Sequence, residues 1–346
     1  MTNSIRHSAS YLQQITRKLF AASGAPDDIA STVAEILVNA NLAGHDSHGV
    51  QFAPMYLDRI EDGHIDNKAY PEIVRESANT LHVDGNGGFG HSMSRSAMEW
   101  AIERARRSAV CCVTFQNTTH IGRVGEYAEQ AARAGCITLI TLGGASAAGS
   151  QVVPFGGARG ALGTNPIAVG IPTGDDAPFV IDFATSVIAG GKILVAQSKG
   201  LDVPEGVMVD SQGNPTTSPD DFRQGGFLLP FGAHKGYALS LFFSLMGGLA
   251  GEFNAELTSM AGLFMQVYDV AAFTPLEGYQ SNVRSVLNAM KAVPPAPGFE
   301  EVLVPGDFEH RSRVQRLEEG IDVPADTFAK IEAWAGKLNV SLAEED

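Results

Sequence analysis

Cysteine is scarce. Cys111, Cys112 and Cys136 are the only three in 346 residues, and they form neither a CxxC pair nor an even set. That excludes a disulfide framework and a cysteine zinc site as organising features, and a reducing, cytoplasmic setting is expected. Positive charge is also short: 24 Lys plus Arg stand against 39 Asp plus Glu, a formal charge of -15. A chain this acidic gains little by releasing the counterions of a polyanion, so nucleic acid and anionic membranes are set aside as partners. Long apolar runs are missing too. Residues 135–158 are broken by Gly, Ser and Pro154, and residues 236–251 fall short of the roughly 20 a membrane span needs. Residues 1–26 hold Arg6, Arg17 and Lys18 and no acid, as a targeting presequence would. Leu12, Ile15, Leu19 and Phe20 recur at helical spacing there, however, so an amphipathic helix stopped by Gly24 is expected.

What remains is a globular composition, 44% hydrophobic and 18% charged, with 38 Gly and 17 Pro, in a chain long enough to bury a large core. Ile29, Val33, Ile36, Leu37 and Ala40 predict a second helix over 27–42. A strand is expected over 80–84, a helix over 91–107, a strand over 109–115, a helix over 122–134 and a strand over 136–142. This alternation argues for an α/β sheet with crossover helices. The stretch 143–172 is rich in Gly and turn residues, and a strand follows over 179–183. Residues 204–226 read as surface loop, 236–249 as a buried helix, 263–273 as a further strand and 324–338 as a last helix.

Four places could carry chemistry. Gly85, Gly87 and Gly90 match GxGxxG between the expected strand and helix, but the second strand runs into Gln116-Asn117 with no acid to hold a ribose. A plain turn is the alternative. In His45-Asp46-Ser47-His48 two imidazoles at i, i+3 could face a metal, although no third ligand is evident; a capped helix end or an acid/base histidine fits as well. His120 in Asn117-Thr118-Thr119-His120-Ile121-Gly122-Arg123 lies where a strand's carboxyl end gives way to a helix, the edge at which open α/β sheets bind ligands. It could exchange a proton with a substrate or simply cap the loop. Lys235 stands at the entry to the apolar helix, placed to reach a phosphate or to snorkel to water. No GxSxG hydrolase elbow occurs.

In this order, seven segments resemble the malate/L-lactate dehydrogenase family, which includes ureidoglycolate, sulfolactate and Δ1-piperideine-2-carboxylate reductase members. They are residues 44–50, 84–90, 117–123, Leu162-Gly163-Thr164-Asn165-Pro166, Asp182-Phe183-Ala184-Thr185-Ser186, His234-Lys235-Gly236-Tyr237 and Pro305-Gly306-Asp307. The resemblance implies a mixed α/β fold that is not a Rossmann domain. Its helical domain would be residues 1–75 with about 300–346, and residues 76–299 would hold cofactor and substrate. It also implies hydride transfer between NAD or NADP and a small 2-oxo or 2-hydroxy acid, or a cyclic imino acid, in a homodimer whose site borrows from both subunits, with no metal. A nucleotide-binding homologue with impaired catalysis is a third reading. By the family pattern His120 exchanges the proton and His48 lies beside nicotinamide and substrate. Cofactor contacts would come from Gly122, Arg123, Val124, Asp182, Phe183, Ala184, Thr185, His234 and Lys235, and from Arg311 and Arg313 at the adenosine end.

One position departs from the pattern. Four residues after His48, where many members carry a substrate-binding Arg, this chain has Phe52; some branches, resembling broad-specificity hydroxycarboxylate dehydrogenases, also lack that Arg. A carboxylate wants a bidentate cation, so either Arg123, Arg159 or a backbone nest is expected to take over, or the substrate differs.

Overall fold

The computed structural model describes residues 4–343 except Lys199 and Glu252. Its main sheet runs, in spatial order, Glu72–Glu76, Thr80–Asp84, Val110–Gln116, Ser259–Asp269, Cys136–Ser146, Pro166–Ile171 and Phe179–Ala184, with Phe253–Asn254 paired onto Ser259–Asp269. Thr80–Asp84 and Val110–Gln116 are parallel and joined by the helix Gly90–Ser108. The other neighbours in that order are antiparallel. The sheet is therefore mixed, and its centre is a strand from late in the chain rather than the third strand of a Rossmann unit.

Both faces of the sheet are covered. On one, Val113, Ile140, Met265 and Val267 pack against Met93, Ala97 and Ala101 of the helix Gly90–Ser108 and Tyr127, Ala128 and Ala131 of the helix Gly125–Arg133. On the other lies the helix His234–Gly247. Gly143 and Gly262 are cross-strand partners beneath it, and a Cβ on either would come within 2.2 Å and 2.3 Å of the helix backbone at Phe243 and Gly247. The helix thus rests on the sheet through two positions that hold no side chain. Asn165 fastens it, donating to Ser240 Oγ at 2.7 Å and Ser244 Oγ at 3.1 Å.

A second core joins the beginning of the chain to its end. Leu12, Ile15, Leu19 and Phe20 of the helix Ala9–Ala22 meet Ile29, Val33 and Leu37 of Asp27–Leu42, Tyr56 and Leu57 of Ala53–Glu61, and Ile331 of Ala325–Leu338. Ser4–His7 pairs antiparallel with Ile321–Pro324. The first helix is capped by Ser8, whose Oγ accepts from Tyr11 N, and Gly24 follows it at φ 101° as its sequence suggests.

Three sequence expectations need correction. Residues 204–226 hold the strands Met208–Val209 and Pro215–Thr216 and the helix Pro219–Arg223; with Phe227–Leu228 they form a small sheet over Val152, Leu162 and Ile193. Two-residue strands are too short to show a period, which is why they read as loop. The helix His234–Gly247 is only half buried: Leu239, Phe242 and Leu245 are exposed beside buried Ser240, Phe243 and Ser244. The expected strand over 263–273 is Ser259–Asp269, with Val270–Ala272 a short helical turn.

Candidate active site

The glycine-rich turn at 85–90 serves a neighbouring loop. A Cβ on Gly85 would lie 2.8 Å from Asn117 O, and one on Gly90 would lie 2.5 Å from Thr119 O and 2.6 Å from His120 O. Thr119 Oγ1 donates to Gly88 O at 2.7 Å and accepts from Gly90 N at 2.9 Å. The GxGxxG spacing therefore marks a cradle that holds the loop 117–120 by close backbone packing.

That loop delivers His120 into a cluster of rings. Tyr56 Oη shares a hydrogen bond with His120 Nδ1 at 2.5 Å and lies 3.5 Å from His91 Nε2 on its other side. Phe52 sits 5.3 Å from the His120 ring, and His48 stacks at 6.0 Å with 19° between planes. His48 is carried by a loop pinned from below. Asn41 Nδ2 donates to Asp46 Oδ1 at 2.6 Å, Asn41 Oδ1 accepts from Val50 N at 2.8 Å, and Arg316 grips Asp46 through both oxygens at 2.6 Å and 3.0 Å. Gly49 is required there, because its Cβ would come 2.2 Å from Asn41 Oδ1. The two imidazoles of the 45–48 segment diverge: His45 Nε2 meets Glu309 Oε1 at 3.0 Å, whereas Ser47 Oγ lies 3.1 Å from His48 Nδ1. Among the described residues no group of three or more His, Cys, Asp or Glu side chains is arranged to hold a metal.

Burial pushes His120 down to about 4, with the positive charge of Arg59 adding to the shift. Burial does the same to His48, also to about 4, helped by His120, His45 and Arg123. His91, fully enclosed, is held well below 6.5. All three are neutral in the folded protein near neutrality, while the unfolded chain binds their protons near 6.5. Their contribution to stability is thus full above about 6.5 and lost as pH falls towards 4. His120 and His48 should each cost about 1.4 kcal/mol by about pH 5.5, with His91 acting in the same direction. Urea unfolding at about pH 7.5 and about pH 5.5 measures this, and an unchanged midpoint would contradict it.

Behind His120 the chain turns at Gly122, φ 73°, where a Cβ would lie 2.7 Å from His91 Nε2. Arg123 then points inward. Its side chain is 1% exposed, with Nη1 2.7 Å from Glu129 Oε1 and Nε 3.7 Å from Asp182 Oδ2. The expectation that Arg123 takes a substrate carboxylate is corrected: its guanidinium is walled into an ion pair. Asp182 Oδ2 accepts from Gly125 N at 2.7 Å, which ties the end of the strand Phe179–Ala184 to the start of the helix after Val124.

The strand end continues the perimeter. Thr185 O accepts from Phe231 N at 2.9 Å, and the Phe183 and Phe231 rings meet edge to face at 5.6 Å. Gly232 and Ala233 follow at φ 55° and 54°; an Ala at that φ is strained, as backbones often are at functional turns. They open the helix carrying His234 and Lys235, both exposed, and Lys235 has no ion-pair partner among the described residues. On the opposite side Gly191, near the start of the helix Gly190–Ser198, abuts Ser47: its Cβ would sit 3.8 Å from that of Ser47. Arg311 is half exposed and paired with Glu301, and Arg313 reaches Glu129 at 3.6 Å and Asn39 at 3.3 Å. Arg159 is exposed in the loop after Phe155.

These residues fit a nicotinamide dinucleotide. Exposed, unpaired Lys235 at a helix amino end suits phosphate oxygens. Gly122 and Gly125 are closed on their inner side by the protein itself, since a Cβ would lie 2.7 Å from His91 Nε2 at the one and 2.7 Å from Arg123 Nη2 at the other. Three contributors carry no sequence motif: Tyr56, His91 and Arg59. The available signal was the spacing of Phe52, Tyr56 and Arg59 at i, i+4 and i+7, which lines them along one helix face.

Comparison with known proteins agrees with this arrangement. The family model described as malate/L-lactate dehydrogenase matches residues 7–332. The L-lactate dehydrogenase of Cupriavidus necator is 34% identical over 340 residues, 95% of this chain and 97% of the relative. The crystal structure of malate dehydrogenase from Entamoeba histolytica superposes with a TM-score of 0.92 at 28% identity, covering 99% of this chain and 100% of the other. That of Δ1-piperideine-2-carboxylate reductase from Pseudomonas syringae gives 0.82 at 29% identity, covering 96% and 100%. No helix among the described residues is long and apolar enough to cross a membrane. A mixed sheet flanked by a helical core, a buried histidine cluster at its edge and a match along nearly the whole chain lead to one assignment: this chain belongs to the malate/L-lactate dehydrogenase family.

Proposed function

We propose that this chain is an NAD(P)-dependent dehydrogenase of small 2-hydroxy acids that also reduces 2-oxo acids, with His120 as proton donor and acceptor. The observation that carries it is the hydrogen bond between Tyr56 and His120 Nδ1, which leaves Nε2 as the nitrogen available to a ligand. His48, the backbone of Gly122, Arg123 and Val124, residues 182–185, His234, Lys235, Arg311 and Arg313 would hold the dinucleotide. When bound, the nicotinamide supplies or takes up the hydride. The negative charge that develops on the substrate oxygen during reduction calls for a proton from a neighbouring acid, and His120 is placed to give it. In the free protein His120 is neutral, the state that accepts a proton from a 2-hydroxy acid. A bound carboxylate stabilises the imidazolium, the state that donates to a 2-oxo acid.

Arg59 is the cation we assign to that carboxylate. It is exposed, its guanidinium has no ion-pair partner among the described residues, and its charge reaches both Tyr56 and His120. Helical side chains lean towards the preceding turn, which directs Arg59 over Tyr56 and Phe52. Arg59→Ala should lower kcat/KM for 2-oxo acids about ten- to hundredfold, mostly through KM, as expected for a lost charge-assisted hydrogen bond of about 1.5–3 kcal/mol. An unchanged KM would remove Arg59 from the site.

Spectrophotometric assay of NADH and NADPH against a panel of 2-oxo acids and cyclic imines tests the reaction, and no oxidation of either cofactor with any 2-oxo acid would refute it. The likeness to the piperideine carboxylate reductase structure favours a second reading, a cyclic imino acid reductase, which the same panel separates. A homodimer is supported by the apolar surface: Leu239, Phe242 and Leu245 are exposed on one helix, and Leu276–Lys291 buries no residue. The cytoplasmic assignment rests on the three unpaired cysteines.

A further inference from the structure

Tyr56 is 1% exposed, yet its hydroxyl is not an isolated polar atom in an apolar core. It lies between two imidazoles, 2.5 Å from His120 Nδ1 and 3.5 Å from His91 Nε2. Its ring is fixed on both sides, stacked on Phe52 at 5.8 Å and set edge to face against Phe89 at 6.3 Å. His91 is fixed in turn, with no exposed surface and with Gly122 passing so close that a Cβ there would collide with it. Its Nδ1 is buried without a hydrogen-bond partner, and among the described residues the hydrogen-bond neighbour of its Nε2 is the Tyr56 hydroxyl. A buried tyrosine hydroxyl flanked in this way has one strong bond to make, and it makes it to the histidine that faces the ligand side.

We propose that Tyr56 is the positioning residue of His120: its hydroxyl holds Nδ1, fixes the ring's orientation and tautomer, and leaves Nε2 to exchange a proton with substrate. The inference rests on the reading of His120 as the acid/base group. The hydroxyl serves both states of that group. In the imidazolium that donates, both nitrogens carry protons: Nδ1–H donates to the Tyr56 oxygen, the Tyr56 proton turns to His91 Nε2, and Nε2–H is left for the substrate. When Nε2 has given its proton to a 2-oxo acid's oxygen, Nδ1 keeps its own proton and its bond to the Tyr56 oxygen, leaving a neutral imidazole with Nε2 bare. One hydroxyl orientation therefore serves both protonation states without moving any ring, and His91 is the acceptor that makes that orientation available. The phenol stays a neutral hydroxyl throughout, because burial raises its ionisation.

The test separates this from the role of His120 itself. Histidine-selective 15N labelling, with the His120 signals identified by their loss in His120→Asn, reads the tautomer without cofactor or turnover. In wild type one tautomer should dominate. In Tyr56→Phe, which keeps the ring and its packing, the two nitrogens should move towards an averaged mixture, kcat should fall about ten- to hundredfold, and the KM for the dinucleotide should stay put. A Tyr56→Phe protein with wild-type tautomer and kcat would overturn the proposal, as would a freely exchanging His120 in wild type, whether or not the variant folds. Full turnover in His120→Asn would instead overturn the acid/base reading on which it stands.

Discussion

His120→Asn should lower turnover by roughly 10²–10⁴-fold while leaving dinucleotide affinity nearly intact. Asparagine occupies much of the same volume and can still bond Tyr56, so the ring cluster of Phe52, Tyr56 and His91 has no reason to collapse. What it lacks is a nitrogen that gains and loses a proton. The loss should appear in kcat in both directions, because the same nitrogen accepts from the hydroxy acid and donates to the oxo acid. Fluorescence titration with NADH or NADPH reports the affinity independently. Turnover within about threefold of wild type would remove His120 from the chemistry and hand the proton to another group.

The second large effect is on stability. Arg123→Met should cost about 3–5 kcal/mol, because it strands two carboxylates that the protein has already taken out of water. Glu129 and Asp182 have side chains 11% and 12% exposed, and Arg123 is the cation both face. Arg133 and Arg313 also approach Glu129, each at 3.6 Å, so Asp182 is the more exposed to the loss. Burial already pushes the Asp182 carboxyl upward, opposed chiefly by Arg123. Without that cation it rises further and the carboxyl takes up a proton, so the deficit relative to wild type should shrink as pH falls. Urea denaturation gives the magnitude, and Arg123→Met combined with Asp182→Asn should recover part of it. A deficit below about 1 kcal/mol would show that Arg123 is not what neutralises this pocket.

How far the sequence carries can be judged residue by residue. His120 and His48 could be singled out as candidates because each stands inside a run of polar residues at an element boundary, and the helices over 9–22 and 27–42 were legible because their apolar residues keep a 3.6 period. The glycine segment was legible as a turn but not in its role. Its partners, Thr119 and His120, lie 30 residues further on, and no local period encodes that contact. Tyr56 reads from sequence as one more apolar residue on a short helix, and its hydroxyl becomes meaningful only when two histidines from separate elements close around it. Arg123 illustrates the reverse error. An arginine beside a candidate acid/base group reads as a ligand contact, and only burial shows that Glu129 already holds it.

The position of Ser259–Asp269 in the sheet has a consequence for biosynthesis. The strand lies between Val110–Gln116 and Cys136–Ser146, which precede it by more than a hundred residues, and pairs with Cys136–Ser146 along its length and with Val110–Gln116 over residues 264–268. On the ribosome those two strands emerge early and must wait, each with an edge of unsatisfied amides and carbonyls, until residue 269 has been made. A chain in this condition exposes two open strand edges at once, the situation in which edge-to-edge association competes with folding.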